Sequence, residues 1–386
     1  MSWAPAAQCR RSSDTRAPEH RPRTRRPRIG RTLRVFAALA VLAPLAACGG
    51  ASSGSDKGEN GATPEGFPYT VTNCGVKTTY QRPPERVVTL NQHTTEIMLA
   101  LGLQKKLVGT AYLDDKVLPQ YAKAYKGVKV LSKKYPSLET LLGANPDFVY
   151  GGYTSAFDRT EGRDRASLKK SGVNTRLNVE QCSHGAVGVA QLREEIRETA
   201  RTFGVPERGE KLLAHYDRQL AGVKRHLDGK RSPSVFVYDS GDSSAFTAGG
   251  AGIGNDIVKR AGGRNVFAGI GKPFSDVSWE KVVQRKPEVI VIYDYGGTPL
   301  KEKKRKLLTD PVLKDVPAVK HKRFAVLPLS SAVLGVRMPD AVDDLARQIH
   351  PDAFGKGADG DPSAPNTPSP DGKHTGDSDS ASNKGS

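Results

Sequence analysis

Apolar and polar positions along the chain fall into two stretches of short alternating runs, separated by one long helical stretch. In the first, apolar runs recur at Arg86–Leu90 (RVVTL), Lys106–Ala111 (KLVGTA), Phe148–Tyr150 and Val173–Leu177. Runs this short, bounded by turn residues, predict buried strands. Between them the pattern predicts helices over Glu96–Leu101, capped by Thr94 or Thr95 and stopped at Gly102, then Leu138–Leu142 and Arg159–Lys170, ended by Gly172. Strands that alternate with helices imply a parallel sheet covered on both faces. From Val187 the spacing turns helical: Leu192, Ile196, Thr199 and Phe203, an interruption at Gly204-Val205-Pro206, then Leu212, Leu213, Tyr216, Leu220, Val223 and Leu227. Pro206 suits a first helical turn. A helix from Pro206 to Asp228 would be about 35 Å long, enough to pass from one lobe to another. Alternation then resumes with Ser234–Tyr238, a glycine-rich turn to Gly254, a helix Asp256–Arg260, a helix Trp279–Gln284, strands Val289–Tyr293 and Lys322–Leu327, and a closing helix Pro339–Ile349.

The two alternating stretches share a fragment. Residues 137–149 (SLETLLGANPDFV) align with residues 278–290 (SWEKVVQRKPEVI), matching Ser137 with Ser278, Glu139 with Glu280, Pro146 with Pro287 and Asp147 with Glu288. Each copy reads as a Ser-capped helix with Glu in its first turn, leading into an apolar strand. Two similar lobes joined by a long helix is the simplest arrangement.

The ends of the chain of 386 residues have a different character. Residues 1–47 carry ten Arg against Asp14 and Glu19 and end in the apolar run Val35–Ala47. That run falls short of the roughly 20 residues needed to span a bilayer, and fits an export signal behind a basic leader. Removing it takes +8 from the formal net charge of +18, leaving +10. A basic excess suits an anionic ligand or an anionic membrane surface. Export and the absence of a basic-aromatic motif argue against nucleic acid, and export excludes a cytoplasmic enzyme. Residues 48–66 read as a flexible tether and 355–386 as a disordered tail. Of the four Cys, Cys9 lies in the leader, and Leu45-Ala46-Ala47-Cys48 looks like a lipobox whose Cys48 is lipidated; an ordinary cleavage site is the alternative. Cys74 and Cys182, an even pair in an oxidising compartment, predict a disulfide, with two independent buried thiols as the alternative.

Taken together, RVVTLNQHTTEIMLALGL (86–103), SLETLLGANPDFV, the helix 206–228, AGGRNVFAGIGKPFSDVSWEKVV (261–283), KPEVIVI and AVKHKRFAVLP (318–328) resemble the substrate-binding lipoproteins of ABC importers for ferric siderophores, haem and cobalamin. The resemblance implies two Rossmann-like α/β lobes with parallel sheets bridged by one long helix, the class III periplasmic-binding-protein arrangement. The N-terminal lobe would span 67–185, a helical linker 186–230 and the C-terminal lobe 231–354. It also implies an extracytoplasmic, lipid-anchored monomer that hands its ligand to a membrane permease and its ATPase. In that family an acid on each lobe meets basic permease residues, and the matching positions are Glu139 and Glu280.

A ferric siderophore is large and often anionic, so its site calls for cations and aromatic faces at the carboxyl ends of strands. The loops expected there carry Asn91, Gln92 and His93, Tyr112, Lys133 with Lys134 and Tyr135, and Tyr153. The second lobe offers Tyr238, Asp239, Phe274, Trp279, Tyr293, Tyr295 and Arg337. Of these, Asn91, His93, Tyr112, Lys133, Tyr153, Tyr238, Trp279, Tyr293 and Arg337 are the expected ligand contacts. Ferric siderophore is the leading ligand; cobalamin or another corrinoid, a deazaflavin precursor and haem are alternatives. No cofactor is expected. The His residues are scattered, with only His93 at a strand-end loop, so a resident metal site is not expected. No nucleophile elbow, phosphate-binding Gly-Lys-Ser loop or His-Glu-x-x-His occurs, so no enzyme activity is expected. Gly249–Gly254 reads as a closely packed turn, and Asp114-Asp115 and Asp343-Asp344 as solvated pairs. An exported enzyme and a structural surface protein are the rival readings.

Overall fold

The computed structural model describes residues 64–354. The leader, Cys48 and the tail after Phe354 lie outside the described residues. In the N-terminal lobe five strands, β3 (Val87–Leu90), β4 (Leu107–Ala111), β5 (Val130–Ser132), β6 (Phe148–Gly151) and β7 (Asn174–Leu177), form one parallel sheet in the order β5-β4-β3-β6-β7. The central strands β3 and β6 are buried throughout, as a sheet covered on both faces requires. Helices α1 (Gln92–Ala100), α2 (Ala122–Tyr125), α3 (Leu138–Gly143) and α4 (Arg165–Lys170) make the crossovers. Two boundaries correct the sequence reading. Helix α1 starts three residues before Thr95, with Asn91 rather than a Thr at its N-cap, and Asn91 caps nothing with its side chain. The region 159–163 is a turn, and α4 is capped by Asp164, whose carboxylate accepts from Ala166 and Ser167 N.

A hairpin that the apolar pattern does not reveal precedes this sheet: β1 (Tyr69–Asn73) pairs antiparallel with β2 (Val76–Tyr80). Its two-residue turn puts Cys74 and Gly75 at φ 48° and 79°, the left-handed pair that matches strand twist. Cys74 is disulfide-bonded to Cys182, 108 residues on, with their Cα atoms 5.3 Å apart. Asn73 reinforces the junction, donating to Leu177 O at 2.9 Å and accepting from Leu177 N at 2.8 Å.

Helices α5 (Val189–Thr202) and α6 (Pro206–His226) follow. They are joined by the ion pairs Arg197–Glu210 and Arg193–Asp217. With 21 residues α6 is about 31 Å long, two residues shorter than its pattern suggests. One flank packs on α5, and the other reaches the C-terminal lobe, where Gln219 donates to Asp340 at 2.6 Å.

In that lobe β8 (Ser234–Tyr238), β10 (Arg264–Asn265), β12 (Val289–Asp294) and β13 (Phe324–Pro328) make a parallel sheet in the order β10-β8-β12-β13. Beside it β9 (Ala245–Ala248) and β11 (Phe274–Val277) pair antiparallel. Helices α7 (Ile253–Arg260) and α11 (Met338–Ile349) pack against α6 on one face, while α8 (Trp279–Arg285), α9 (Leu300–Thr309) and α10 (Pro317–Lys320) carry the core of the other. The glycine run before α7 is a tightly packed turn: a Cβ on Gly250 would sit 2.0 Å from Ala268 O, and one on Gly254 would sit 2.2 Å from the Tyr293 hydroxyl.

The repeated fragment is one structural unit used twice. Ser137 and Ser278 each cap a helix by accepting a backbone N–H from the third residue on, Thr140 and Lys281. Asn145 and Lys286, each just before the Pro, both take left-handed backbone, at φ 50° and 45°. Asp147 then accepts from Glu85 and Arg86 N at the entry to β3, and Glu288 accepts from Ser234 N at the start of β8. The matched acids hold the start of the neighbouring parallel strand in each lobe.

Candidate functional site

Every parallel strand delivers its carboxyl end to the same side of its sheet, and the two sets of ends face each other. The cross-lobe contacts establish this. Asn178, just after β7, donates to Leu334 O at 3.1 Å, and Glu180 accepts from Leu334 N at 2.8 Å. Ser330, just after β13, donates to Asp115, beyond β4, at 3.2 Å. A Cβ on Gly335 would meet the His93 Cβ at 2.9 Å. The segment Leu329–Arg337 of the C-terminal lobe is thus wedged against the N-terminal lobe, where the strand ends of the two lobes meet.

Arg337 anchors that wedge. Its Nε and Nη2 donate to the two Glu96 carboxylate oxygens at 2.7 and 2.6 Å, and Nη2 also reaches Lys116 O at 2.6 Å. Its Nη1 donates to Ser330 at 3.0 Å and approaches Asp115 at 3.4 Å. With side-chain exposures of 8% and 1%, Arg337 and Glu96 form a buried, bidentate pair. This corrects the expectation of a free cation here: the guanidinium is committed to protein partners.

The remaining expected residues divide by accessibility. Tyr112, Tyr153 and Lys133 stay partly or fully exposed at the strand ends. Tyr112 meets Tyr135 edge-on at 4.6 Å between ring centres, and Tyr153 meets His93 at 5.1 Å. The Tyr135 hydroxyl donates to the Asn91 side-chain oxygen at 3.1 Å. Asn91, His93, Tyr238, Trp279 and Tyr293 are buried. Tyr238 donates to Gly241 O at 2.9 Å and Trp279 Nε1 to Asp242 O at 2.9 Å, so both strap the loop after β8 while their rings pack with Phe236. Neither belongs to an open wall. His93 is 2% exposed with no hydrogen-bond partner on either ring nitrogen; burial lowers its pKa to about 4, so it is a neutral packing residue. Asn91 Nδ2 and the Tyr293 hydroxyl are also buried without partners.

Two groups escaped the expected set. Glu180, on the loop after β7, is lifted to about 7 by burial, and its charge acts on Tyr153 of one lobe and Tyr293 of the other. Asp114 is exposed, as read from the sequence, and its carboxyl is raised by partial desolvation and by Asp115. Lys303, on α9, is 2% exposed and donates to Asp239 O and Tyr293 O at 2.6 and 2.7 Å, beneath the Tyr295 ring. A Lys inside the run KEKKRK gives no sequence sign of being interior. Glu139 and Glu280 are exposed in the first turns of α3 and α8. Among the described residues no three His, Cys, Asp or Glu side chains converge as metal ligands, and no helix is long and apolar enough to cross a membrane.

This geometry agrees with comparisons to known proteins. A sequence profile described as periplasmic binding protein matches residues 87–330. An uncharacterized ABC transporter substrate-binding lipoprotein, YvrC, of Bacillus subtilis is 26% identical over 331 residues, 83% of this chain and 98% of that protein. A vitamin B12-binding protein of Pectobacterium carotovorum is 25% identical over 217 residues, 56% of this chain and 72% of that protein. Among solved structures, a periplasmic binding protein from Veillonella parvula aligns with TM-score 0.68 and 32% identity, covering 73% of this chain and 97% of its own. The ABC-type Fe3+-hydroxamate transport system of Saccharomonospora viridis aligns with TM-score 0.62 and 25% identity, covering 75% and 99%. With two parallel sheets whose strand ends meet, a bridging helix and a profile match over most of the described residues, the chain belongs to the periplasmic binding protein family.

Proposed function

We propose that this protein is an extracytoplasmic lipoprotein, tethered through Cys48, that captures a ferric siderophore between its lobes and delivers it to an ABC permease. The observation that carries this reading is the set of half-open tyrosines, Tyr112, Tyr135 and Tyr153, gathered at strand ends opposite a second lobe. Broad aromatic faces with hydroxyl donors suit a large chelate with many oxygen atoms. The likeness to an Fe3+-hydroxamate transport protein supports the same choice. A corrinoid is the second reading, favoured by the likeness to vitamin B12-binding proteins.

Glu139 and Glu280 supply the permease contacts in this reading. Both are exposed, and both stand in the first turn of a Ser-capped helix built from the same repeated unit. Titration of tyrosine and Trp279 fluorescence with ferric siderophores and cobalamin tests capture; silence across the panel overturns it. Reversing both acids (Glu139→Arg with Glu280→Arg) should abolish uptake in cells and leave ligand affinity unchanged. Cys48→Ser should release the protein from the membrane.

A further inference from the structure

The basic excess of the C-terminal lobe is concentrated on one short segment. Over residues 231–354 nineteen Lys and Arg face fourteen Asp and Glu, a net charge of +5, while residues 300–323 alone hold nine against three, a net +6. The helical part of that segment, α9, is fastened by its inner face. Leu307 is buried in the core, Lys303 donates to Asp239 O and Tyr293 O, and Lys306 donates to Asp242 O at 3.0 Å beside the Trp279 ring. The outer face is a stripe at i, i+3, i+4 and i+7, formed by Lys301, Lys304, Arg305 and Leu308, and Val312 follows in the turn after the helix. The four stripe residues line one shallow surface groove. Leu308 and Val312 are 43% and 47% exposed, two of the four large apolar side chains that lie so open among the described residues. The three cations make no ion pair among the described residues, whereas Arg193, Arg197, Arg260 and Arg347 on other helices are all paired. A face that serves solubility alone mixes both signs and keeps its aliphatic side chains inward.

The N-terminal lobe has its own concentration of charge, five Lys from Lys123 to Lys134 with no acid between them. Those lysines flank β5, the open edge of its sheet, where Val130 is exposed. Charge at an open edge has a separate role, since it keeps a foreign strand from pairing there. Helix α9 lies instead on the face of its sheet, against the interior strand β12, so edge protection does not account for its cations.

We propose that α9 and the turn after it form a second membrane contact, which lays the C-terminal lobe on an anionic phospholipid surface. Lys301, Lys304 and Arg305 meet headgroup phosphates, and Leu308 and Val312 enter the headgroup boundary. Cations beside aliphatic side chains on one helix face are the composition of an interfacial contact, and each cation near an anionic bilayer adds to the attraction until salt screens it. The choice of occupant rests on the tethered reading above. Cys48 lies sixteen residues before the first described residue, and sixteen residues reach at most about 55 Å, so an anchored chain keeps this face close to lipid at high effective concentration. Alone, the patch holds only weakly and reversibly, so it supplements the anchor and does not replace it.

The test is flotation of residues 49–386, which retain all three hydrophobic clusters whole and omit the basic leader and any lipid chain. Vesicles of phosphatidylcholine alone are compared with vesicles holding about 30% phosphatidylglycerol, at about 0.05 and 0.5 M NaCl. Binding should appear on the anionic vesicles at low salt and fall about tenfold or more at high salt. Lys301→Glu with Lys304→Glu and Arg305→Glu should weaken it about tenfold or more, while the same change of charge in the other lobe, Lys123→Glu with Lys126→Glu and Lys129→Glu, should weaken it less than about threefold. Leu308→Ser with Val312→Ser, at unchanged charge, should weaken it about fivefold. Every substituted side chain is at the surface, so the melting curves should match that of the parent protein. No binding to anionic vesicles, or equal losses in the two charge variants, overturns the α9 contact. Full binding by the Leu308 and Val312 variant overturns the entry of those side chains. The tethered reading fails separately, if Cys48→Ser leaves the protein on the cell membrane at high salt.

Discussion

Replacing Arg337 by Met should destabilise the protein more than any exposed ion-pair mutation in it. The change leaves the Glu96 carboxylate, 1% exposed, without its bidentate partner. Breaking a buried pair by removing one member costs about 3–5 kcal/mol. The lower end applies here, because Glu96 Oε1 keeps Gln92 Nε2 at 2.9 Å and Leu118 N at 3.0 Å as donors. For a body of this size the unfolding entropy is about 0.6 kcal/mol per kelvin, so a loss of about 3 kcal/mol lowers Tm by roughly 5 °C. Urea unfolding should show the midpoint falling with an unchanged slope.

The stronger test is the cycle with Glu96→Gln. If the cost arises from a stranded charge, the double variant should be more stable than Arg337→Met alone, with a coupling of about 1.5 kcal/mol or more. A single-variant cost under about 1 kcal/mol, or strict additivity, would mean that solvent reaches the pair as it does a surface bridge. The wedge would then not be anchored by this contact.

Three further outcomes are expected. Gly254→Ala should cost about 1–3 kcal/mol, because its Cβ would lie 2.2 Å from the Tyr293 hydroxyl; Tyr293→Phe should restore most of the loss in thermal melts, and an equal cost in both backgrounds would refute the clash. Replacing Cys74 and Cys182 by Ser opens a loop of 108 residues and should cost about 2–5 kcal/mol by denaturation, whereas a loss under about 1 kcal/mol would mean that Asn73, with Arg165 donating to its backbone O at 2.9 Å, holds the hairpin unaided. Stability should also depend on pH through two opposed groups. His93, at about 4 in the fold against an ordinary 6.5, contributes stability that is complete above pH 6.5 and lost as pH falls toward 4, on the order of 3 kcal/mol. Glu180, lifted to about 7, contributes stability that is complete below its ordinary value and lost as pH rises through 7. Unfolding midpoints at pH 4.5, 6 and 8 should therefore flatten on the acid side in His93→Gln and on the neutral side in Glu180→Gln; unchanged profiles would refute both assignments.

The architecture was legible where the chain's local pattern and its fold agree. Buried parallel strands are apolar on both faces, so VVTL and VIVIY announce themselves, and the stripe of α6 repeats at helical spacing over 21 residues. The internal repeat could be found because it encodes a complete unit: cap, helix, left-handed turn and strand-anchoring acid. Elements with a wet face were missed. The hairpin β1–β2 alternates Thr, Lys and Tyr, and α9 is a run of cations that hides an interior Lys. Asn91 displaced the expected Thr cap because a tertiary demand outweighed local preference: its side-chain oxygen serves Tyr135 and Gly152 N. The site was legible as positions but not as chemistry. Strand-end residues can be counted off the sequence, yet whether Arg337 is free depends on Glu96, 241 residues away.

These partnerships also bear on how such a receptor responds to its ligand. A rigid helix joining two lobes permits only small rotations, and here the junction between the lobes is fastened as well, by Arg337–Glu96, by Asn178 and Glu180 on Leu334, and by Ser330 on Asp115. Relative motion about a fastened junction is greatest at the mouth, where Tyr112, Lys133, Tyr153 and Tyr295 keep exposed surface. Any ligand-driven closure must therefore be drawn from contacts at the lip. The same anchors stabilise the empty protein and hold the strand ends of the two lobes in register before ligand arrives, so that the cost of organising this junction falls on folding and not on binding.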